Sequence, residues 1–197
     1  QLSILDAQGQ ARQQPYFYPG TRDCGTCHTP SAGFVLGLRT RQLNHELDYG
    51  TGYPALNQLL AWSAWGFLDR SFDEQAVQAA PRLANIADED ESLAVRVSSY
   101  WDSNCSMCHA GSAGAPVGWD ARFFTPLAER GLSQPPQMVN PSLPDVLLEP
   151  GDPEGSYVFI RSATDEVGLR MPPIGRNRVD AQYVEVLGRW IQSLESL

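Results

Sequence analysis

The chain has 197 residues, of which 42% are hydrophobic and 19% are charged, and this composition excludes an intrinsically disordered chain and a collagen-like fibre. Fourteen basic residues, all arginine, face 23 acidic ones, and the net charge of −9 argues against a nucleic-acid partner, whose affinity comes from cations that neutralise phosphates. No stretch approaches the roughly 18 to 20 consecutive apolar residues of a membrane span.

The first half of the chain carries two predicted helices. One spans about Pro54 to Leu68 and is apolar nearly all round, which predicts burial on more than one side. A shorter helix is expected from Asp73 to Ala80, where Pro81 stops it. The segment before Cys24, rich in proline and aromatic residues, is expected to be extended rather than helical.

The second half carries two helices with more one-sided patterns. Apolar residues recur at helical spacing from Leu93 and lead directly into Cys105. The closing helix begins with Asp180 as its N-cap, and its apolar positions continue to Leu194. No segment alternates as a half-buried strand should, and Gly and Pro cluster in the loops. We therefore predict an all-α fold with long loops and little or no sheet.

The four cysteines form two copies of one pattern, each followed at once by a histidine. The copies read Cys24-Gly-Thr-Cys27-His28 and Cys105-Ser-Met-Cys108-His109. An acidic run at 88–91 lies between the copies and is typical of a solvated linker or a helix start. The repeat therefore predicts two modules, residues 1–90 and 91–197.

Several chemistries use a Cys-x-x-Cys spacing. A structural zinc site usually places its second pair about 15 to 20 residues after the first, whereas 77 residues separate these pairs. A thioredoxin-like dithiol needs a single motif after a strand, and plain disulfides leave both histidines unexplained. Covalent haem accounts for every residue, because the thiols bond the porphyrin edge and the next histidine binds the iron. We expect two covalently attached c-type haems, with zinc or disulfides as the alternatives.

The other axial ligands of the irons are predicted from the remaining histidine and methionines. Met171 lies 62 residues after His109, before two prolines and the closing helix, and is predicted to bind the second iron. The segment between the two motifs contains no methionine, so His45 is the candidate ligand of the first iron. Met138 and an open sixth position are the alternatives there.

Arginines are candidate partners of the haem propionates, because a guanidinium bonds carboxylates in bidentate fashion and keeps its charge when buried. Arg39 and Arg41 follow the first motif, and Arg176 and Arg178 follow Met171. Exposed solubilising charge is the alternative role of each arginine. Five tryptophans are predicted to pack in the core or against haem: Trp62, Trp65, Trp101, Trp119 and Trp190.

The second half resembles the class I cytochrome c fold, in which a helix leads into the haem motif and a methionine loop precedes a closing helix. The whole chain resembles a diheme c-type cytochrome family of exported bacterial proteins. That likeness lies in the two motifs and in residues 33–44, 57–60, 151–153 and 170–175. The resemblance implies that such a module can be fused to other extracellular domains, including carbohydrate-binding modules.

Together these patterns predict a protein that passes electrons between two haems and an extracytoplasmic redox partner with a locally basic surface. The alternative is a diheme peroxidase-like enzyme with an open sixth position at the first iron. No acid–base pair or nucleophile stands out, so no catalytic residue is predicted. Haem attachment predicts a periplasmic or extracellular location. Residues 1–14 lack the apolar core of an export signal, so we expect the exported chain in its mature form or as part of a longer one.

Overall fold

Helices joined by long loops, with two small strand pairs, form the described part of the chain. The computed structural model describes residues 1–6, 8–30, 32–50, 52, 54–111, 118–136 and 142–197. The first ninety residues contain β1 (Leu2–Leu5), β2 (Ala11–Gln14), α1 (Thr21–Cys27), α2 (Thr40–Leu43), β3 (Glu46–Leu47), β4 (Leu56–Asn57), α3 (Gln58–Ala64) and α4 (Glu74–Ala79). The remainder contains α5 (Leu93–Asn104), a short 3₁₀ turn (Leu127–Glu129), α6 (Tyr157–Ala163) and α7 (Ala181–Gln192).

Side-chain caps set where four of these helices begin. In each case an oxygen of the residue before the helix accepts a hydrogen bond from a backbone N–H of the first turn, which would otherwise lack a partner. The capping residues are Asn57 for α3, Asp73 for α4, Ser92 for α5 and Asp180 for α7. The helices predicted from Asp73, Leu93 and Asp180 are thereby confirmed.

The helix predicted over residues 54–68 is shorter than expected. Residues 56–57 belong to β4, so α3 begins only after the Asn57 cap. Gly66 has a positive φ of 73°, which is unlike helical backbone, and it directly follows the C-cap residue. Apolar periodicity therefore overestimated this helix at both ends. None of the described helices has both the length and the apolar character that crossing a membrane requires.

Two antiparallel strand pairs make the all-α prediction wrong. β1 pairs with β2 so that Leu2 lies opposite Gln14, and β3 pairs with β4. The carboxylate of Asp6 closes the β1–β2 turn by accepting hydrogen bonds from the backbone N–H groups of Gln8 and Gln10, at 3.0 and 2.8 Å. The sequence of β2 is Ala-Arg-Gln-Gln, and β3 and β4 have two residues each. Neither pair therefore carries the apolar alternation by which a strand is recognised in sequence.

The main hydrophobic core lies in the second half, where α5 packs against α7. Trp101 on α5 is almost fully buried, and its ring centroid lies 5.0 Å from that of Trp119 and 5.3 Å from that of Trp190. The Trp101 indole N–H donates to the Tyr183 hydroxyl at 2.7 Å, so its one polar atom is satisfied. These three tryptophans confirm the predicted packing role, whereas Trp65 is 49% exposed.

The first half buries much less of its apolar surface. Among the described residues, four of the seventeen buried hydrophobic side chains belong to residues 1–90, and thirteen belong to the second half. The distribution of exposed large hydrophobic side chains is the reverse, with eleven of thirteen in residues 1–90. An apolar surface of this extent is typical of a binding site or an interface.

The two halves are joined by a buried charge network around Asp102 on α5. The Asp102 side chain is 0% exposed and accepts two hydrogen bonds from the Arg41 guanidinium, at 2.7 and 2.9 Å. The Arg39 guanidinium lies 3.5 Å from the same carboxylate, and the Phe123 backbone N–H donates to it at 2.9 Å. Arg39 and Arg41, predicted to bind haem propionates, thus bind the second half of their own chain.

We predict that Asp102→Ala lowers the free energy of unfolding by about 3–5 kcal/mol, because it leaves the Arg41 cation without its buried partner. Urea denaturation followed by circular dichroism measures the change. Glu91→Ala is the matched control, since Glu91 pairs with Arg82 at the surface, where their side chains are 36% and 51% exposed. The control should change stability by less than about 1 kcal/mol. Equal effects of both substitutions would contradict a role for Asp102 in joining the halves.

Candidate cofactor-binding site

The first Cys-x-x-Cys-His motif lies on α1 and the turn that ends it. The Gly20 backbone N–H donates to the Asp23 carboxylate at 2.8 Å and so fixes the start of the helix. His28 is the C-cap residue, and its backbone N–H donates to the Cys24 carbonyl oxygen at 3.0 Å. One helical turn therefore carries Cys24 and Cys27 and presents His28 directly after them. This helix was not predicted, because a seven-residue segment containing Gly25 has little helical signal.

The orientation of the His28 ring is set by a backbone carbonyl. Its Nδ1 lies 2.5 Å from the carbonyl oxygen of Phe34. Because a carbonyl oxygen only accepts, Nδ1 carries the hydrogen of this bond and Nε2 is the ring nitrogen left for a metal. A second ring nitrogen held by a carbonyl in this way is typical of histidines that bind metals through the other nitrogen.

The turn that presents this carbonyl holds an unusual backbone conformation. Phe34 has a φ of +61°, in the left-handed region that bulky residues rarely adopt. Its backbone N–H donates to the Thr29 carbonyl oxygen at 2.9 Å, which closes the turn. The side chain of Phe34 is 59% exposed, and those of Val35 and Leu38 nearby are 74% and 67% exposed. Strain of this kind is common at functional sites, and here it aims a carbonyl at the candidate ligand.

The second motif follows α5 and is more deeply placed. Cys105 is the C-cap residue, and its carbonyl oxygen accepts a hydrogen bond from the His109 backbone N–H at 2.8 Å. The His109 ring is buried and its centroid lies 4.6 Å from that of Trp119. Burial, with the nearby Arg161 cation, lowers the pKa of His109 to about 4, so the ring is neutral at pH 7. The neutral ring is the form that binds a metal.

His109 differs from His28 in the partner of its ring. The Nδ1 of His109 is buried and has no hydrogen-bond partner among the described residues. A buried polar atom without a partner is uncommon and points to a group that the protein atoms do not supply.

The two motifs lie against each other. The Cys108 thiol donates to the carbonyl oxygen of Thr26, the residue before Cys27, at 3.9 Å, and the nearby Cys27 thiol helps to raise the pKa of Cys108. The Arg39 guanidinium donates to the Ser106 hydroxyl, inside the second motif, at 2.8 Å. Sequence reasoning did not place the motifs together, because the contacting residues are about 80 positions apart and share no local pattern.

All four cysteines are free thiols. Burial raises the pKa of Cys105 to about 12 and, together with the neighbouring Cys27, that of Cys108 to about 11, so both thiols keep their hydrogen at neutral pH. Among the described residues, no group of three or more His, Cys, Asp or Glu side chains could hold a metal ion.

Met171 is held by backbone contacts to the end of α6. Its N–H donates to the Arg161 carbonyl oxygen at 2.9 Å. The cation of Arg161 is also one of the two causes that lower the pKa of His109. The Arg176 guanidinium donates to the carbonyl oxygens of Met171 at 3.1 Å and Ser162 at 2.8 Å, and also to that of Thr164. Arg176, a predicted propionate partner, therefore fixes the methionine loop.

His45 and Met138 are the remaining predicted ligands. The His45 ring is hydrogen-bonded to the Leu83 backbone, and burial, together with the nearby Arg82 cation, lowers its pKa. It lines a pocket of about 550 Å³. No hydrogen bond or ion pair joins it to residues 24–28 within the described part of the chain. Met138 lies outside the described residues.

Comparisons with protein-family models, with curated proteins and with solved structures gave no match to this chain.

We predict that Arg176→Gln loosens the Met171 loop, because it removes the guanidinium that donates hydrogen bonds to three carbonyl oxygens. Hydrogen–deuterium exchange of the peptide containing residues 169–176 should become faster by about tenfold, which corresponds to roughly 1.4 kcal/mol of lost local protection. Arg178→Gln is the control, since Arg178 is exposed two residues further on. The assignment fails if both variants exchange like the unsubstituted protein.

Proposed function

We propose that the chain is a diheme c-type cytochrome that carries electrons to or from an extracytoplasmic redox partner. The observation that carries this proposal is the duplicated turn in which two free thiols, one helical turn apart, are followed at once by a neutral or carbonyl-oriented imidazole. A zinc site or a dithiol gives no reason for the histidine in both copies, whereas haem attachment uses all three side chains.

The surroundings of each motif fit an apolar macrocycle. At the first motif, Phe34, Val35 and Leu38 are exposed beside the turn that orients His28. A porphyrin face would cover apolar surface that the first half leaves open to water. At the second motif, Cys105 packs at the edge of the core and the His109 ring lies against Trp119. Both places combine a metal-binding nitrogen with apolar or aromatic neighbours.

Each residue then has a distinct role. The four cysteine thiols would hold the haems by adding across the vinyl groups, with one S–H bond and one C=C π bond giving one S–C and one C–H bond at each cysteine. Bound haem supplies an iron centre that gains and loses one electron at a time. Phe34 keeps the first imidazole oriented, and the buried aromatic rings around the second exclude water. Met171 is the proposed second ligand on the His109 side, where a thioether raises the reduction potential, and His45 is the one proposed on the His28 side.

The partner and the location follow from charge and chemistry. An excess of 23 acidic over 14 basic residues favours a partner with a locally basic surface. Covalent haem attachment supports placement in the periplasm or outside the cell. Fusion to other extracellular domains, such as carbohydrate-binding modules, is part of the same proposal.

The proposal predicts two haems per chain, one for each motif. Haem content per mole of protein, measured from the alkaline pyridine complex, should be two for the unsubstituted chain made with a haem-attachment apparatus. It should fall to one for Cys24→Ser/Cys27→Ser and to one for Cys105→Ser/Cys108→Ser.

Met107→Leu is the matched control, because it alters the second motif while keeping both of its thiols, and it should retain two haems. A colourless unsubstituted protein would refute the proposal. Equal haem content in all four proteins would show that the cysteines do not attach it.

A further inference from the structure

The contact between the two motifs involves the residues that the proposed function assigns to attachment. Cys27 is the second cysteine of its motif and Cys108 is the second of the other, and the Cys27 thiol is near enough to Cys108 to help raise its pKa. The Cys108 thiol also reaches the Thr26 carbonyl oxygen at 3.9 Å, so it contacts the first motif at two neighbouring residues. Both Cys27 and Cys108 are half-buried, as expected for groups at a shared boundary.

A second bridge runs beside this contact. The Arg39 guanidinium donates to the Ser106 hydroxyl at 2.8 Å, and Ser106 in turn donates to the Asp102 carbonyl oxygen at 2.6 Å. Arg41 binds the fully buried Asp102 carboxylate one turn of α5 earlier. Because Ser106 lies two residues beyond the end of α5 and its backbone N–H donates to the Trp101 carbonyl oxygen at 2.9 Å, these bonds fix the position of the second motif against the first half. The sulfur contact is thus supported by a buried charge network.

Because a thioether bond is short, the contact between the motifs indicates where the edges of the two attached haems would lie. In a covalently attached haem, two bonds separate the cysteine sulfur from the porphyrin ring. Because the Cys108 sulfur lies against the residue next to Cys27, the two ring edges attached to Cys27 and Cys108 would lie close together. The remaining cysteines, Cys24 and Cys105, attach the other vinyl position of each ring.

Resting on the proposed function, we propose that the two haems of this chain meet at the edges attached to Cys27 and Cys108 and form one electronically coupled pair. An electron that enters at either haem then reaches the other inside the chain, without a further cofactor. The Asp102 network holds the pair together, and the partner needs access to only one of the two rings.

Circular dichroism in the Soret region tests the pairing directly. Two strong transitions held close together in a fixed orientation add a couplet, with one positive and one negative lobe, to the signals of the separate haems. We expect this additional couplet in the fully reduced protein. It should be absent from Cys24→Ser/Cys27→Ser and Cys105→Ser/Cys108→Ser, each with one haem. The sum of the two variant spectra should fail to reproduce the spectrum of the unsubstituted protein.

Each outcome decides between the two proposals. A protein with two haems whose spectrum equals the sum of the variants would overturn the pairing and leave the proposed function intact. Absence of any Soret absorption would instead overturn the proposed function. Should a double variant fail to fold, the unsubstituted protein still decides. A couplet several-fold stronger per haem than that of a one-haem cytochrome c, and unchanged per molecule on tenfold dilution, supports the pairing, whereas a signal no stronger per haem overturns it.

Discussion

The arrangement of the two halves of this protein depends on the hydrogen bonds and ion pairs of the buried Asp102 carboxylate. A charge with no exposure to water costs several kcal/mol unless it is fully paired and hydrogen-bonded. Asp102 meets that condition because Arg41 and Arg39 of the first half pair with its carboxylate and the Phe123 N–H of its own half donates to it. Helix α5 continues directly into Cys105. The contacts of the Asp102 carboxylate therefore also determine where the second motif lies relative to the first.

The two halves use this constraint differently. The second half has a core of its own between α5 and α7, so its motif is attached to a rigid support. The first half leaves eleven large hydrophobic side chains exposed among its described residues, and polar contacts join it to the second half. A large apolar cofactor at the first motif would provide the missing burial. In the haem-bound protein that we propose, cofactor binding would therefore complete the fold of the first half, whereas the second half has its own core without a cofactor.

The features that were predicted correctly depend on interactions between residues close together in the sequence, such as the capping of a helix. Asp73 and Asp180 begin helices because their carboxylates cap free N–H groups, and both were recognised from sequence. The strand pairs were missed because β2 is polar and β3 and β4 are too short to alternate. Arg39 and Arg176 bind a distant carboxylate and carbonyl oxygens of the chain itself, partners that local sequence does not reveal, and their pairing with propionates stays a prediction. The spacing of the motifs indicated their chemistry, but only the long-range contacts show that they touch.

The central claim is that thioether-linked haem occupies both cysteine motifs, and peptide mass spectrometry of the denatured protein tests it most directly. The protein should be produced together with a working haem-attachment apparatus. The account predicts that the peptide containing residues 24–28 and the peptide containing residues 105–109 each carry the mass of one haem, which survives denaturation. The claim would be contradicted if both peptides had the masses of their unmodified sequences, with free or oxidised thiols.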